Sequence, residues 1–210
     1  MSIYPTSLPS LPSLATSSNA SPSGPLASAL ATLFEASPVL YSDLVLALLQ
    51  SPSNDIYTSY GTLVDAAITV IKQWPREKQA AFVGAHPRIG EVSGLSALSA
   101  AEQASKQTPP EVLERLAKLN GLYEVKYEGL RYITFVNGRS RKEIMEEMEG
   151  RLGVRSGEDV QVLVKDEDRV RMDSDEWERE VKRAVEDVGK IAKARLRNMG
   201  FEADVTAAAS

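Results

Sequence analysis

The single histidine of the chain, His86, is the first residue whose type and position could support acid–base chemistry. It follows an apolar stretch with helical spacing, and Pro87 comes directly after it. Because proline disfavours helical backbone at the preceding residue, His86 is predicted to lie where a helix ends and a loop begins. An imidazole there can act as a general acid or base near neutral pH. The alternative is a structural histidine that interacts favourably with the helix dipole.

A second group of polar residues, Ser99, Glu102 and Gln103, has the spacing of a helix start. Ser-x-x-Glu is the pattern of a capping box, and capping alone accounts for Ser99 and Glu102. The first turn of a helix also presents free N–H groups that suit a bound carboxylate. The alternative is therefore that the three side chains hold an anionic ligand rich in hydrogen-bonding groups.

The segment FVNGRSR at residues 135–141 carries a candidate anion-binding arginine. Gly138 permits close approach of the backbone to a ligand. Arg139 can hold a carboxylate through two parallel N–H donors, whereas Arg141 is expected to point to solvent. The alternative is a solvated basic loop that caps the following helix.

Composition excludes several classes of function. The chain has 210 residues, 43% of them hydrophobic and 25% charged, with a formal net charge of -5 and no cysteine. An acidic balance argues against nucleic acid or an anionic membrane as partner. Without cysteine and with one histidine, neither a disulfide framework nor a zinc site is expected, and no metal is assigned. No apolar run reaches the ~20 residues of a membrane span and no signal-peptide pattern is present, so a cytoplasmic location is the default, with a peroxisomal one left open.

The spacing of apolar residues predicts an all-α fold, a multi-helix bundle with a disordered N-terminal arm. Helices are predicted at residues 25–34, 38–49, 60–73, 76–85, 99–106, 109–121, 140–152 and 173–199. The alternation around Leu130–Val136 fits either a strand or an extended buried segment. The predicted organisation is a flexible Ser/Pro-rich arm at 1–25, one domain at 26–200 with a polar insertion near 154–174, and a tail at 201–210.

Taken in order, these motifs resemble the 2-oxo-4-hydroxy-4-carboxy-5-ureidoimidazoline (OHCU) decarboxylase family. The resemblance spans residues 26–200. It rests on LFEASP at 33–38, AHPRIGE at 85–91, the Ser-x-x-Glu-Gln block at Ser99, LNGLYEVKY at 119–127, GRS at 138–140 with Glu143-Ile144, and a closing helix with Lys190-Ile191 and Arg195-Leu196.

The resemblance implies an all-α enzyme without a cofactor that decarboxylates OHCU, a product of urate oxidation and hydration, to S-allantoin. Family members are often dimers, so a homodimer that acts on a small-molecule substrate is expected. The family's catalytic histidine and glutamate fall on His86 and Glu102, and its substrate-holding serine and glutamine fall on Ser99 and Gln103.

Pro87 and Arg139 complete the predicted substrate-binding residues, although the sequence departs from the family pattern near both. Arg88-Ile89 stands where many members have Asp-Leu, and Arg88 is expected to pair with Glu91 or another surface acid. Asn137 stands where many members have an arginine, two residues before Arg139. These departures leave open a non-catalytic binding protein with the same fold, or a decarboxylase of a different purine-derived acid.

Overall fold

The computed structural model describes residues 8–15, 21, 23–50, 57–91, 95, 98, 100, 108–155, 157 and 168–201. They form α1 (Leu11–Ala15), α2 (Pro25–Phe34), a π-helical turn (Leu40–Leu44), α3 (Val45–Gln50), α4 (Tyr60–Lys72), α5 (Arg76–Val83), α6 (Pro110–Lys126), α7 (Arg141–Leu152) and α8 (Asp175–Asn198). Within these residues there is no β-strand, and one isolated backbone bridge pairs Tyr127 with Val170. The predicted all-α class is confirmed.

Local sequence accounts for where several helices begin and end. Ser59 and Ser140 each accept a hydrogen bond from the backbone N–H three residues later, at 3.1 and 3.2 Å, and so cap α4 and α7. The Glu143 carboxylate accepts in return from the Ser140 N–H at 2.6 Å, which completes a capping box. Gly153 ends α7 with φ of 73°, a left-handed conformation that costs glycine little.

The chain after residue 121 is helical at first and extended afterwards. α6 continues to Lys126, five residues beyond the predicted end, because Leu122 and Tyr123 extend its buried face. From Leu130 the chain is extended, and Leu130 and Tyr132 are buried. The helix predicted at 99–106 lies outside the described residues, apart from Ala100. No helix in the described part of the chain has both the length and the apolar character that a membrane span requires.

The described chain divides into two compact units, one within residues 8–74 and 189–201 and the other within 75–188. In the first unit, α1 packs against α2, and Leu8 and Leu14 are buried. The Tyr60 hydroxyl also donates to the carbonyl of Pro9. Residues 8–15 of the predicted flexible arm are therefore packed, because their leucines remove apolar surface from water.

A buried ion pair lies at the C-terminal end of α2 in the first unit. Arg195 is 1% exposed and donates to the carbonyl of Leu33 at 3.1 Å and to the Glu35 carboxylate at 2.7 Å. The carbonyls in the last turn of a helix have no partner within the helix, so a buried arginine satisfies one of them here. Glu35 and Arg195, which both belong to the motifs of the family resemblance, therefore have a structural role at the end of α2.

The second unit holds His86 and most of the buried polar side chains. α6 packs against α7. The apolar face of α8 contributes Trp177, Val181 and Val188, all fully buried. α6 and the extended segment from Leu130 both contact the loop that contains His86.

Candidate functional site

His86 lies just beyond the end of α5 and is shielded from solvent. Its N–H donates to the carbonyl of Val83 at 3.1 Å, and its side chain is 3% exposed. The imidazole meets the ring of Phe82 edge-on, with 5.8 Å between ring centroids. The predicted position after a helix is confirmed, and the burial excludes an open surface histidine.

The loop that follows His86 is held from outside by α6 and by the extended segment. Arg131 donates through Nη1 to the carbonyl of His86 at 2.6 Å, and Asn120 donates to the carbonyl of Ile89 at 3.0 Å. Gly90 has φ of 85°, and a Cβ there would lie 3.3 Å from Leu116 Cδ1. Only glycine meets both conditions without strain, so this loop lies tightly against α6.

Arg88, which departs from the usual family residue, pairs with a carboxylate of α6. Its Nε and Nη2 donate to the two oxygens of Glu124 at 2.7 and 2.8 Å, and its N–H donates to Glu91 at 2.9 Å. The hydrogen bond and charge of Glu124 raise the pKa of Arg88. Arg131 also faces Glu124, with Nε 3.7 Å from the same oxygen that Arg88 Nε contacts. The sequence interpretation named Glu91 but could not identify Glu124.

Three of the predicted site residues, Ser99, Glu102 and Gln103, lie outside the described residues. Their roles in capping or in ligand binding stay predictions. Pro87 is described and is partly exposed within the His86 loop.

Arg139 follows a tight turn and is held by the protein itself. Asn137 and Gly138 have φ of 47° and 78°, as the asparagine–glycine pair of a tight turn requires. The Arg139 guanidinium donates to Glu147, to Thr134 Oγ1 at 3.0 Å, to the carbonyl of Phe135 at 2.5 Å and to the carbonyl of Val136 at 3.1 Å. Four of the five N–H donors of a guanidinium are thus engaged, so a bound anion would have to share Arg139 with Glu147.

Arg141 does not point freely to solvent, contrary to expectation. Its Nη1 donates to Thr108 Oγ1 at 2.8 Å, and partial burial lowers the pKa of Arg141. The reason is that the first turn of α7 lies beside the residues that precede α6, so a long side chain at this position reaches another element rather than water.

The sequence interpretation missed a buried charged cluster in the second unit. Glu180, on α8, is 5% exposed and accepts from Tyr123 at 2.7 Å, from Arg151 at 2.8 Å and from Arg183 at 2.8 Å. Arg183 also donates to Asp187 at 3.1 Å. One face of α8 carries charged residues at helical spacing, namely Glu180, Arg183 and Asp187, and this spacing was the available signal in the sequence. A charged helix face is usually exposed to solvent, so the pattern did not indicate burial.

Three tyrosines of this unit donate hydrogen bonds to carboxylates and have raised pKa values. They donate to carboxylates: Tyr123 to Glu180 at 2.7 Å, Tyr127 to Glu176 at 3.1 Å and Tyr132 to Glu147 at 2.9 Å. Burial, reinforced by these carboxylates, raises the pKa of all three, that of Tyr127 to about 12. In the unfolded chain the pKa of a tyrosine is about 10.

We therefore expect the free energy of unfolding to fall as the pH rises above about 10. Between the two pKa values the unfolded chain loses tyrosine protons that the native protein keeps, so proton loss favours unfolding. The contribution of Tyr127 is complete below about pH 10 and is lost as the pH rises through about 12. Urea unfolding at about pH 9 and about pH 11 measures the decline, which should be smaller in Tyr127→Phe. An equal decline in both proteins would contradict this assignment.

A cavity of about 650 Å³ lies elsewhere on the second unit, between α6 and residues 168–176. Its lining carries both signs of charge, including Lys126, Arg171, Asp173 and Glu176. His86 is not among the lining residues, so this cavity is separate from the candidate catalytic histidine.

The sequence and structure were compared with known families and proteins. The family model described as OHCU decarboxylase matches residues 19–166, more than half of the chain. Searches of the curated proteins and of the solved structures gave no match. The matched range includes His86 and its loop, α6, α7 and the turn at Asn137. The chain belongs to the OHCU decarboxylase family.

Proposed function

We propose that this protein decarboxylates OHCU to S-allantoin without a cofactor. Family membership supports a decarboxylase role in purine degradation. The observation that carries the proposal is that the one histidine of a matched OHCU decarboxylase sequence is buried directly after α5, in a loop anchored to α6. A histidine held in this way can present its imidazole in one orientation, as proton transfer requires.

The proposed reaction needs little more than orientation, charge stabilisation and one proton. The carboxylate of OHCU is attached to a carbon next to a ring imine. When that carbon–carbon bond breaks, carbon dioxide leaves and the bonding electrons move onto the imine nitrogen. The substrate thus supplies its own electron sink, and delivery of a proton to one face of the planar intermediate gives a single enantiomer.

The proposed roles follow this chemistry. His86 and Glu102 would contact the hydroxyl and carboxylate region of the substrate. Ser99, Gln103 and Arg139 would bind the ureido and carboxylate oxygens, with Pro87 at the edge of the same site.

The test uses freshly generated substrate and follows its disappearance by ultraviolet absorbance. The expected result is a first-order decay whose rate rises in proportion to protein concentration and is unchanged by a chelator such as EDTA. A decay at the uncatalysed rate at every protein concentration would reject the proposal. Loss of the rate on chelation, with recovery on adding a divalent ion, would reject the cofactor-free mechanism alone.

A substitution series tests the anion-binding role of Arg139. Lysine cannot reproduce a planar two-donor contact, so Arg139→Lys should lower kcat/KM. The corresponding loss of transition-state stabilisation should be roughly 1.5–3 kcal/mol, the value of a charge-assisted hydrogen bond. Arg141→Lys and Arg88→Lys should leave KM close to the wild-type value. Urea unfolding of each variant separates loss of substrate binding from loss of the Glu147 contact. A rise in KM confined to Arg88→Lys or Arg141→Lys would move the anion site away from Arg139.

The alternative function is a binding protein that retains the fold without catalysis. One observation favours it: the internal contacts of Arg139 leave its guanidinium largely occupied. Such a protein would bind a purine-derived acid and leave its rate of decay unchanged, an outcome that the same assay detects.

A further inference from the structure

Arg131 makes a contact with the histidine loop that no motif in the sequence indicated. It lies in the extended segment between Leu130 and Tyr132, which are both buried. Its own side chain is 25% exposed. Ile133 and Thr134 are buried as well, so the backbone around Arg131 is packed into the second unit. The guanidinium reaches the His86 loop from this packed segment.

The contact itself is short and charged. Arg131 Nη1 lies 2.6 Å from the carbonyl oxygen of His86. A hydrogen bond with an ionised donor is roughly twice as strong as a neutral one. On the other side of the same residue, the His86 N–H donates to Val83 at 3.1 Å. Both backbone polar groups of His86 are thus fixed, one by α5 and one by Arg131.

Glu124 connects this contact to the rest of the loop. Its carboxylate binds both Nε and Nη2 of Arg88, and it lies 3.7 Å from Nε of Arg131. Arg88 follows His86 by two residues, so α6 holds the loop through Glu124 while Arg131 holds the histidine directly. The arginine that departs from the family pattern is therefore part of the support for His86.

We propose that Arg131, oriented by Glu124, is a positioning residue for His86 in the proposed decarboxylation. The inference rests on the proposed function for its catalytic consequence and on geometry alone for the position of the histidine. Arg131 acts through the backbone of His86. Its loss should lower the turnover number far more than it weakens substrate binding, because a displacement of about 1 Å in a reacting group can cost a rate factor of about 100.

The kinetic experiment compares Arg131→Met and Arg131→Lys with a matched control, Arg76→Met. Arg76 also donates to a backbone carbonyl, that of Met172 at 2.8 Å, and pairs with Glu178, but it lies at the opposite end of α5 from His86. In Arg131→Met, kcat should fall about 10- to 100-fold while KM changes less than about threefold. Arg131→Lys keeps one donor and should lie between this variant and the wild type. Arg76→Met should retain the wild-type kcat.

The spectroscopic experiment uses the single histidine of the chain. Protein labelled at histidine Cε1 should give one carbon–proton cross peak from His86. Its position depends on the ring of Phe82, which meets the imidazole edge-on at 5.8 Å. At one fixed pH the cross peak should move in Arg131→Met, move less in Arg131→Lys and stay in place in Arg76→Met. Circular dichroism and urea unfolding show which variants are folded, and Arg131→Lys decides the question if Arg131→Met is not.

The two measurements separate failure of this inference from failure of the proposed function. An active wild type with kcat and the cross peak unchanged in Arg131→Met would overturn the positioning role and leave the decarboxylase intact. A rise in KM alone would also overturn it, because it would make Arg131 a substrate-binding residue. An inactive wild type whose cross peak still moves in Arg131→Met would reject the proposed function and retain Arg131 as the residue that orients His86.

Discussion

Replacement of His86 by asparagine is expected to reduce the rate of allantoin formation by on the order of 100-fold or more and to abolish its stereospecificity. Asparagine keeps a polar side chain at this buried position but cannot exchange a proton near neutral pH. The variant should remain folded, because the helix before it and the contacts of its loop involve the backbone or other side chains. Steady-state rates and circular dichroism of the product measure the effect.

Phe82→Leu serves as the control for the loss at His86. It disturbs the same packing contact but leaves the imidazole in place, so its rate should fall much less than that of His86→Asn. Glu102→Ala should match His86→Asn in activity and should also cost about 1 kcal/mol of stability if Glu102 belongs to a capping box. Wild-type turnover in both His86→Asn and Glu102→Ala would reject the assignment of the site.

Removal of Glu180 is expected to cause the largest loss of stability. Glu180→Ala leaves the guanidinium groups of Arg151 and Arg183, and the hydroxyl of Tyr123, without the carboxylate that all three contact. Breaking a buried charged contact by removing one partner costs about 3–5 kcal/mol. The loss is expected near the lower end of that range, because Arg183 keeps its contact with Asp187.

Urea unfolding of Glu180→Ala against a neighbour on the same helix measures this cost. Glu178 lies two residues earlier on α8 and pairs with Arg76 and Lys182 at the surface. Exposed ion pairs contribute little, so Glu178→Ala should change the free energy of unfolding much less than Glu180→Ala. Equal losses in the two variants would show that burial of Glu180 does not determine its contribution.

The helices could be predicted because their signals are local. Pro25 begins α2, Ser140 caps α7, and the apolar stripe of α8 contains Trp177 and Val181, as the pattern requires. The predicted end of α6 at residue 121, a glycine, is five residues too early. In the structure that glycine lies within α6, and a Cβ there would meet no neighbouring atom within 4 Å.

The charged contacts could not be predicted because their partners are remote in sequence. Arg88 pairs with Glu124 and Arg151 with Glu180, and any of the many acidic residues would have satisfied the same chemistry. The position of His86 after a helix followed from Pro87, whereas the contact from Arg131 depends on where the extended segment runs. Sequence thus located the candidate catalytic residue but not the residues that hold it.

The direct test of the central claim is the circular dichroism of allantoin formed from freshly generated OHCU. Proton delivery in solution reaches both faces of the planar intermediate, so the uncatalysed product is racemic. We expect the wild type to yield the S enantiomer at a rate proportional to protein concentration, and His86→Asn to yield only the slow racemic background. A racemic product from the wild type at the uncatalysed rate would contradict the assignment of this protein as an OHCU decarboxylase enzyme.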